Sequence, residues 1–176
     1  MGYCNILFMK QLTYINCPAE WESTNDWDSH RPLLFLCVNS AQVNKVWEFG
    51  CGYGSTKLLH NYCIEQNISF GSVDTNKDWA KKFDCTHHVE SYDLIGGIGE
   101  AILFVDCAPG EIRKLIIDRY KDDAKVIVVH DSEETSSYVY GMSEILSTFK
   151  YRIDYCPEGK PWTTAVSNFV NLEEWI

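Results

Sequence analysis

Residues 48–56 read Glu48-Phe49-Gly50-Cys51-Gly52-Tyr53-Gly54-Ser55-Thr56, a glycine-rich turn that follows the apolar run Lys45 to Phe49 and precedes a helical pattern. Glycines let a backbone turn tightly and bring N–H groups against a ligand at the positive end of the next helix. Ser55 and Thr56 suit the first turn of that helix, and Leu58, Leu59, Tyr62 and Cys63 then share one face. Strand, turn and helix in this order form the context that a nucleotide-binding loop requires. A dinucleotide fingerprint would read GxGxxG, but the residue three after Gly52 is Ser55. Glu48 is also out of place beside a pyrophosphate and suits a cationic ligand.

Outward from this loop the chain alternates apolar runs with helical patterns, the signature of a parallel sheet covered on both faces. Strands are expected at Lys45 to Phe49, Ser69 to Asp74, Thr86 to Glu90, Ala101 to Asp106, Lys125 to His130, Tyr151 to Tyr155 and Thr164 to Phe169. Between them, Tyr138, Met142, Ile145, Leu146 and Phe149 follow helical spacing, as do Ile112, Leu115, Ile116 and Tyr120. The last two strands are separated only by residues 156–162, too few for a crossover helix, so they should pair antiparallel. Their hairpin loop then emerges at the carboxyl ends of the strands, where open α/β sheets bind ligands. The expected fold is therefore a three-layer α/β sandwich: a doubly wound, seven-stranded, mostly parallel sheet with an antiparallel last strand.

The first 44 residues read differently. They carry aromatic and acidic residues such as Tyr14, Glu20, Trp21, Asp26 and Trp27, then a helix from about Pro32 to Asn39. We assign residues 1–44 as a helical and aromatic segment over the site and 45–176 as the ligand-binding domain. A chain of 176 residues has the size of one domain.

Fifteen basic against twenty-five acidic residues give a formal charge of −10, and Lys and Arg form no run. That field repels phosphate backbones and anionic headgroups, so neither nucleic acid nor a membrane surface is the expected partner. No apolar stretch reaches the roughly 18 residues a membrane span needs. The eight cysteines stand singly, without a CxxC pair, and read as buried thiols in a reducing, cytoplasmic compartment.

Asp74 closes the second expected strand, where a carboxylate can accept both hydroxyls of a ribose; Asp74 or Thr75 could equally cap the helix that follows. With the loop and this acid in place, the chain resembles the class I S-adenosylmethionine-dependent methyltransferases. Glu48 to Gly54 is similar to their first motif, Asp74 falls at their ribose-binding acid, and Val105-Asp106 resembles the end of their fourth strand. The resemblance covers Lys45 to Ile176. It implies S-adenosylmethionine as cofactor, held by Glu48, Gly50, Gly52, Gly54, Ser55, Thr56, Asp74, Thr75, Ser91 and Asp106.

Leu103 to Asp106 together with Ile127 to Asp131 looks like the small-molecule O-methyltransferases, some of which use Mg²⁺. This implies Asp106 and Asp131 as metal ligands, although Ser132 stands where catechol-type enzymes place an amide ligand. His130, Asp106 or Asp131 would serve the proton transfer, His130 having an unperturbed pKa of about 6.5. Trp21, Lys160, Trp162 and Thr163 are candidates for the pocket of a small-molecule or sugar acceptor. A nicotinamide-dependent oxidoreductase and a noncatalytic nucleotide-binding module are the alternative readings.

Overall fold

The computed structural model describes residues 8–176, and its strands are Phe8–Leu12 (β1), Lys45–Phe49 (β2), Ser69–Asp74 (β3), Thr86–His88 (β4), Ile102–Val105 (β5), Val126–His130 (β6), Tyr151–Tyr155 (β7) and Thr163–Ser167 (β8). They form one sheet in the order β1-β7-β8-β6-β5-β2-β3-β4. Every pairing is parallel except those of β8 with β6 and β7. The helices are Arg31–Ser40 (α1), Thr56–Glu65 (α2), Lys77–Ala80 (α3), Ile112–Tyr120 (α4), Glu134–Val139 (α5) and Met142–Leu146 (α6).

Side chains alternate across a strand, so β5 and β6 feed two cores at once. Ile102, Phe104, Val126 and Val128 pack with Leu33, Leu34, Cys37 and Val38 of α1 and Leu59 and Cys63 of α2. Leu103, Val105, Ile127 and Val129 pack on the other face with Ile116, Ile117 and Tyr120 of α4 and Met142, Ile145 and Leu146 of α6. Both strands are buried along their whole length, which is why they read as continuous apolar runs. Strand order reverses between β2 and β5, so the carboxyl ends of these two strands open a crevice.

The expected doubly wound sheet with its antiparallel last strand is present, but among the described residues it has eight strands, not seven. The eighth is β1, from the segment assigned as helix and aromatic cover. FMKQL shows neither period clearly, and β1 is held by backbone pairing along β7, extended by Cys156 N–H to the Leu12 carbonyl at 2.7 Å. With α1 packed in the core as well, residues 8–44 are built into the domain.

A second difference concerns the helical pattern from Tyr138 to Phe149. Gly141 adopts φ +68° and ends α5, so α6 starts afresh at Met142. Tyr138 is exposed whereas Met142, Ile145, Leu146 and Phe149 are buried. Leu115 likewise faces solvent, and Ile117 takes the core position in α4. The cysteines from Cys17 to Cys156 are all free thiols, and no helix among the described residues is long and apolar enough to cross a membrane.

Phe104 is fully buried at the centre of this arrangement. Phe104→Ala should lower the unfolding free energy by about 3–5 kcal/mol, read from urea denaturation.

Candidate functional site

The glycine loop keeps its shape through contacts that differ at each glycine. Gly50 lies at φ +92°, and a Cβ there would stand 2.5 Å from the Asp106 carbonyl oxygen and the Cys107 Cα, so only glycine lets β2 cross the end of β5 this closely. A Cβ on Gly54 would meet the Trp27 carbonyl oxygen at 2.6 Å and the His30 ring at 2.9 Å, which ties the loop to the segment before α1. At Gly52 a Cβ would meet nothing within 4 Å, because this residue faces the cavity.

That cavity measures about 940 Å³ and sits over the crevice between β2 and β5. One wall is the loop from Cys51 to Ser55 with Trp79; a second is Asp106, Cys107 and Ala108 with His130 and Asp131. Asn25 to Asp28, His30 and Arg31 form a third, and Ser136, Tyr140 and Pro161 complete the lining. The hairpin loop therefore does emerge at the ligand edge, with Ser132 N–H bonded to the Trp162 carbonyl at 3.1 Å.

Arg113, in the first turn of α4, organises the back of the cavity. Its guanidinium donates to the Cys107 carbonyl (3.0 Å), the His130 carbonyl (2.7 Å), Asp106 Oδ1 (2.9 Å) and Asp131 Oδ2 (3.1 Å). The Arg thus stands between the two acids that were expected to share a divalent ion. It pairs with both and occupies the position between them, so an Asp106–Asp131 Mg²⁺ site does not fit this structure. Ser132, in the place of the missing amide ligand, is buried and accepts from Thr164 Oγ1 at 2.8 Å.

His130 has both ring nitrogens engaged: Nδ1 lies 3.2 Å from Asp106 Oδ2 and Nε2 lies 2.8 Å from Ser29 Oγ. The Ser29 hydroxyl also lies within reach of the Pro161 and Asp26 carbonyls (3.0 and 3.2 Å), so both ring nitrogens are engaged in either tautomer. Burial opposes charge on this ring, but the Asp106 and Asp131 carboxylates outweigh it and hold the His130 pKa above its usual value. Burial would likewise raise the Asp106 carboxyl, but His130 and Arg113 hold it below the usual range. His130 is therefore a clamp on Asp106, with no ring nitrogen to spare for an acceptor proton.

His30 is the opposite case. It is 1% exposed, lines the cavity, and neither ring nitrogen has a hydrogen-bond partner. Burial, followed by the neighbouring His130, pushes its pKa down to about 3, so the ring is neutral. Its ring centroid lies 4.8 Å from that of His130.

Of the expected cofactor residues, Gly52, Gly54, Ser55 and Asp106 line the cavity; Gly50, Thr56, Glu48, Asp74, Thr75 and Ser91 do not. Glu48 is fully buried, its two carboxylate oxygens accepting from Ser55 Oγ (2.5 Å) and Ser72 Oγ (2.6 Å). It supports the loop from behind and does not line the cavity. Thr56 Oγ1 accepts from Gly52 N–H at 2.8 Å. Asp74 joins β3 to the loop, accepting from Cys51 N–H (3.0 Å) and Asn76 N–H (2.7 Å), while Asn76 takes the capping role on α3. Ser91 caps the turn at Tyr92–Leu94.

The acceptor candidates are corrected more fully. Trp21 is a core residue, packed against Phe35 and Tyr62 at ring distances of 5.4 and 5.5 Å. Lys160 lies on a separate cavity of about 270 Å³ and donates to Ser23. Trp162 lies outside the main cavity, its N–H donating to Glu133 Oε2 at 3.1 Å, and Thr163 is buried within β8. Aromatic lining comes instead from Trp27, Tyr53, Trp79 and Tyr140. Arg113, His30 and Ser29 were missed because a single Arg in an amphipathic helix and a Ser-His pair before a helix carry no spacing signal.

No family model and no curated protein matches the chain. Among solved structures it is similar to the N-terminal domain of human METTL16 in complex with SAH (12% identity, 89% of this chain and 76% of that one, TM-score 0.54). It is similar to the O-methyltransferase TomG from Streptomyces achromogenes in complex with SAM (13% identity, 87% and 91%, TM-score 0.56). An O-methyltransferase from Bacillus cereus in complex with SAH gives 9% identity, 85% and 84% coverage and TM-score 0.53. The layers and strand order described above are those of the Rossmann-like class I methyltransferase fold.

Burial pushes the Glu48 pKa up to about 7 from 4.5, against the lowering effect of the serine hydroxyls. A raised carboxyl pKa favours the fold below about pH 4.5 and loses that advantage as pH rises through 7. Relative to Glu48→Gln, the wild-type chain should lose a few kcal/mol of stability between those values and remain level above them, read from denaturant melts across pH.

Proposed function

We propose that this chain is an S-adenosylmethionine-dependent methyltransferase acting on a hydroxyl of a small molecule or sugar. The observation that carries the proposal is the cavity at the switch point of a methyltransferase sheet, with Gly52 opening onto space that no protein atom fills. A volume of about 940 Å³ lies in the range of small-molecule sites and leaves room for a nucleoside and an acceptor. Asp74 keeps lone pairs beyond its two backbone contacts, which suits it to ribose hydroxyls at the loop end.

The acceptor end is bounded by Asp106, Asp131, His30, Tyr140 and Trp27. Aromatic faces suit rings and sugar C–H groups. The formal charge of −10 supports a small acceptor over a polyanion, and the free thiols support an intracellular setting.

Bound S-adenosylmethionine would supply a methyl group activated by its sulfonium. The chain's task is to align the acceptor oxygen behind that methyl carbon and to take the hydroxyl proton. Of the two carboxylates at this end, Asp106 is the one hydrogen-bonded to both Arg113 and His130, which keep its pKa low. It accepts the proton, and His130 positions it.

Two variants test the reading. Gly52→Val should fold normally, since its side chain enters the cavity alone, yet should abolish S-adenosylhomocysteine binding in calorimetry; unchanged affinity would remove the loop assignment. Asp106→Asn should lower kcat for methyl transfer from labelled donor by about 10²-fold or more, and full activity in that variant would exclude the assigned base.

A further inference from the structure

We propose that His30, His130 and Asp106 bind a divalent first-row transition ion, Zn²⁺ foremost, at the acceptor end of the cavity. The donor atoms of these three residues lie within 4.8 Å of one another. His130 Nδ1 and Asp106 Oδ2 stand 3.2 Å apart, close to the spacing of about 3.4 Å between ligands of a tetrahedral Zn²⁺. The proton now shared by that pair would leave as the ion enters, since metal ligands must be deprotonated.

The second, independent observation is His30. A buried imidazole with two unpartnered nitrogens forgoes hydrogen bonds that the interior ordinarily supplies. It sits in the cavity lining, crosses the His130 ring at 76°, and has no hydrogen bond to break in turning toward a shared ion. The outer contacts are also in place. His130 Nε2 rests on Ser29 Oγ, itself anchored near the Pro161 and Asp26 carbonyls, so the ring is oriented with Nδ1 toward Asp106. Arg113 engages Asp106 through Oδ1 and leaves Oδ2 on the imidazole side.

Two imidazoles and one carboxylate select a borderline transition ion over Mg²⁺, which prefers oxygen donors. Three protein ligands beside a cavity leave one position open toward it, the arrangement of a reactive site more than of a structural one. The site shares Asp106 with the proton acceptor assigned above, so an ion there would take up that carboxylate, and the proposal is read by metal binding alone.

The test uses the full chain after chelator treatment. Zn²⁺ should bind one ion per chain in calorimetry, and a large excess of Mg²⁺ should not displace it. X-ray absorption of the Zn²⁺ form should show nitrogen and oxygen ligands with imidazole scattering and no sulfur. His30→Phe should weaken binding by about 100-fold or more, whereas His87→Gln, on an exposed histidine, should leave it unchanged. Equal affinity in folded His30→Phe, sulfur ligation by the cysteines, or no binding would each overturn the site. If His30→Phe fails to fold, the absorption spectrum of the wild-type protein decides. S-adenosylhomocysteine binding to the metal-free protein, measured alongside, separates failure here from failure of the methyltransferase reading.

Discussion

Two carboxylates close in space and one imidazole beneath them depend on the guanidinium of Arg113. The residue is 6% exposed, and a charge that deeply buried persists only when it is paired and hydrogen-bonded. Here four acceptors satisfy it: two carbonyls at the ends of β5 and β6 and the side chains of Asp106 and Asp131. It therefore does two things at once. It joins the carboxyl ends of two central strands, and it places one cation between two acids at the back of a cavity. The opposite behaviour of the two histidines follows: the field of those carboxylates raises the His130 pKa, while His30, a few ångströms away with no carboxylate bonded to it, is pushed down by burial and stays neutral.

Much of the architecture was legible because it rests on local rules. The apolar runs of β5 and β6 read as strands covered on both faces, and the short connection before β8 allowed only antiparallel pairing. The turn from Gly50 to Ser55 stood out by composition, and its place at the reversal of strand order follows from a parallel α/β topology. β1 was missed because an edge strand held by backbone bonds needs no period-two pattern. The break at Gly141 was missed because five apolar residues kept helical spacing across it.

The site was less legible than the fold, for reasons visible in particular residues. Glu48 looked like a ligand contact from its place beside the glycines, but a strand side chain pointing beneath the loop meets Ser55 and Ser72 instead. Asp106 and Asp131 looked like a metal pair until α4 delivered Arg113 between them. Trp21 has the chemistry of an acceptor wall and the burial of a core residue. In each case the deciding partner lies on another element of the fold, and spacing along one element does not report it.

The position of β1 has a consequence for the chain's solution behaviour. At one margin of the sheet β4 is only three residues long, and a short margin offers little backbone to a passing strand. At the other, β1 covers β7 over five paired positions. Were that cover removed, β7 would present an unpaired row of amides and carbonyls flanked by Tyr151 and Tyr155, a template for joining other copies edge to edge. With β1 in place the open backbone row on this side belongs to β1 itself, and the residues that follow it wall the cavity.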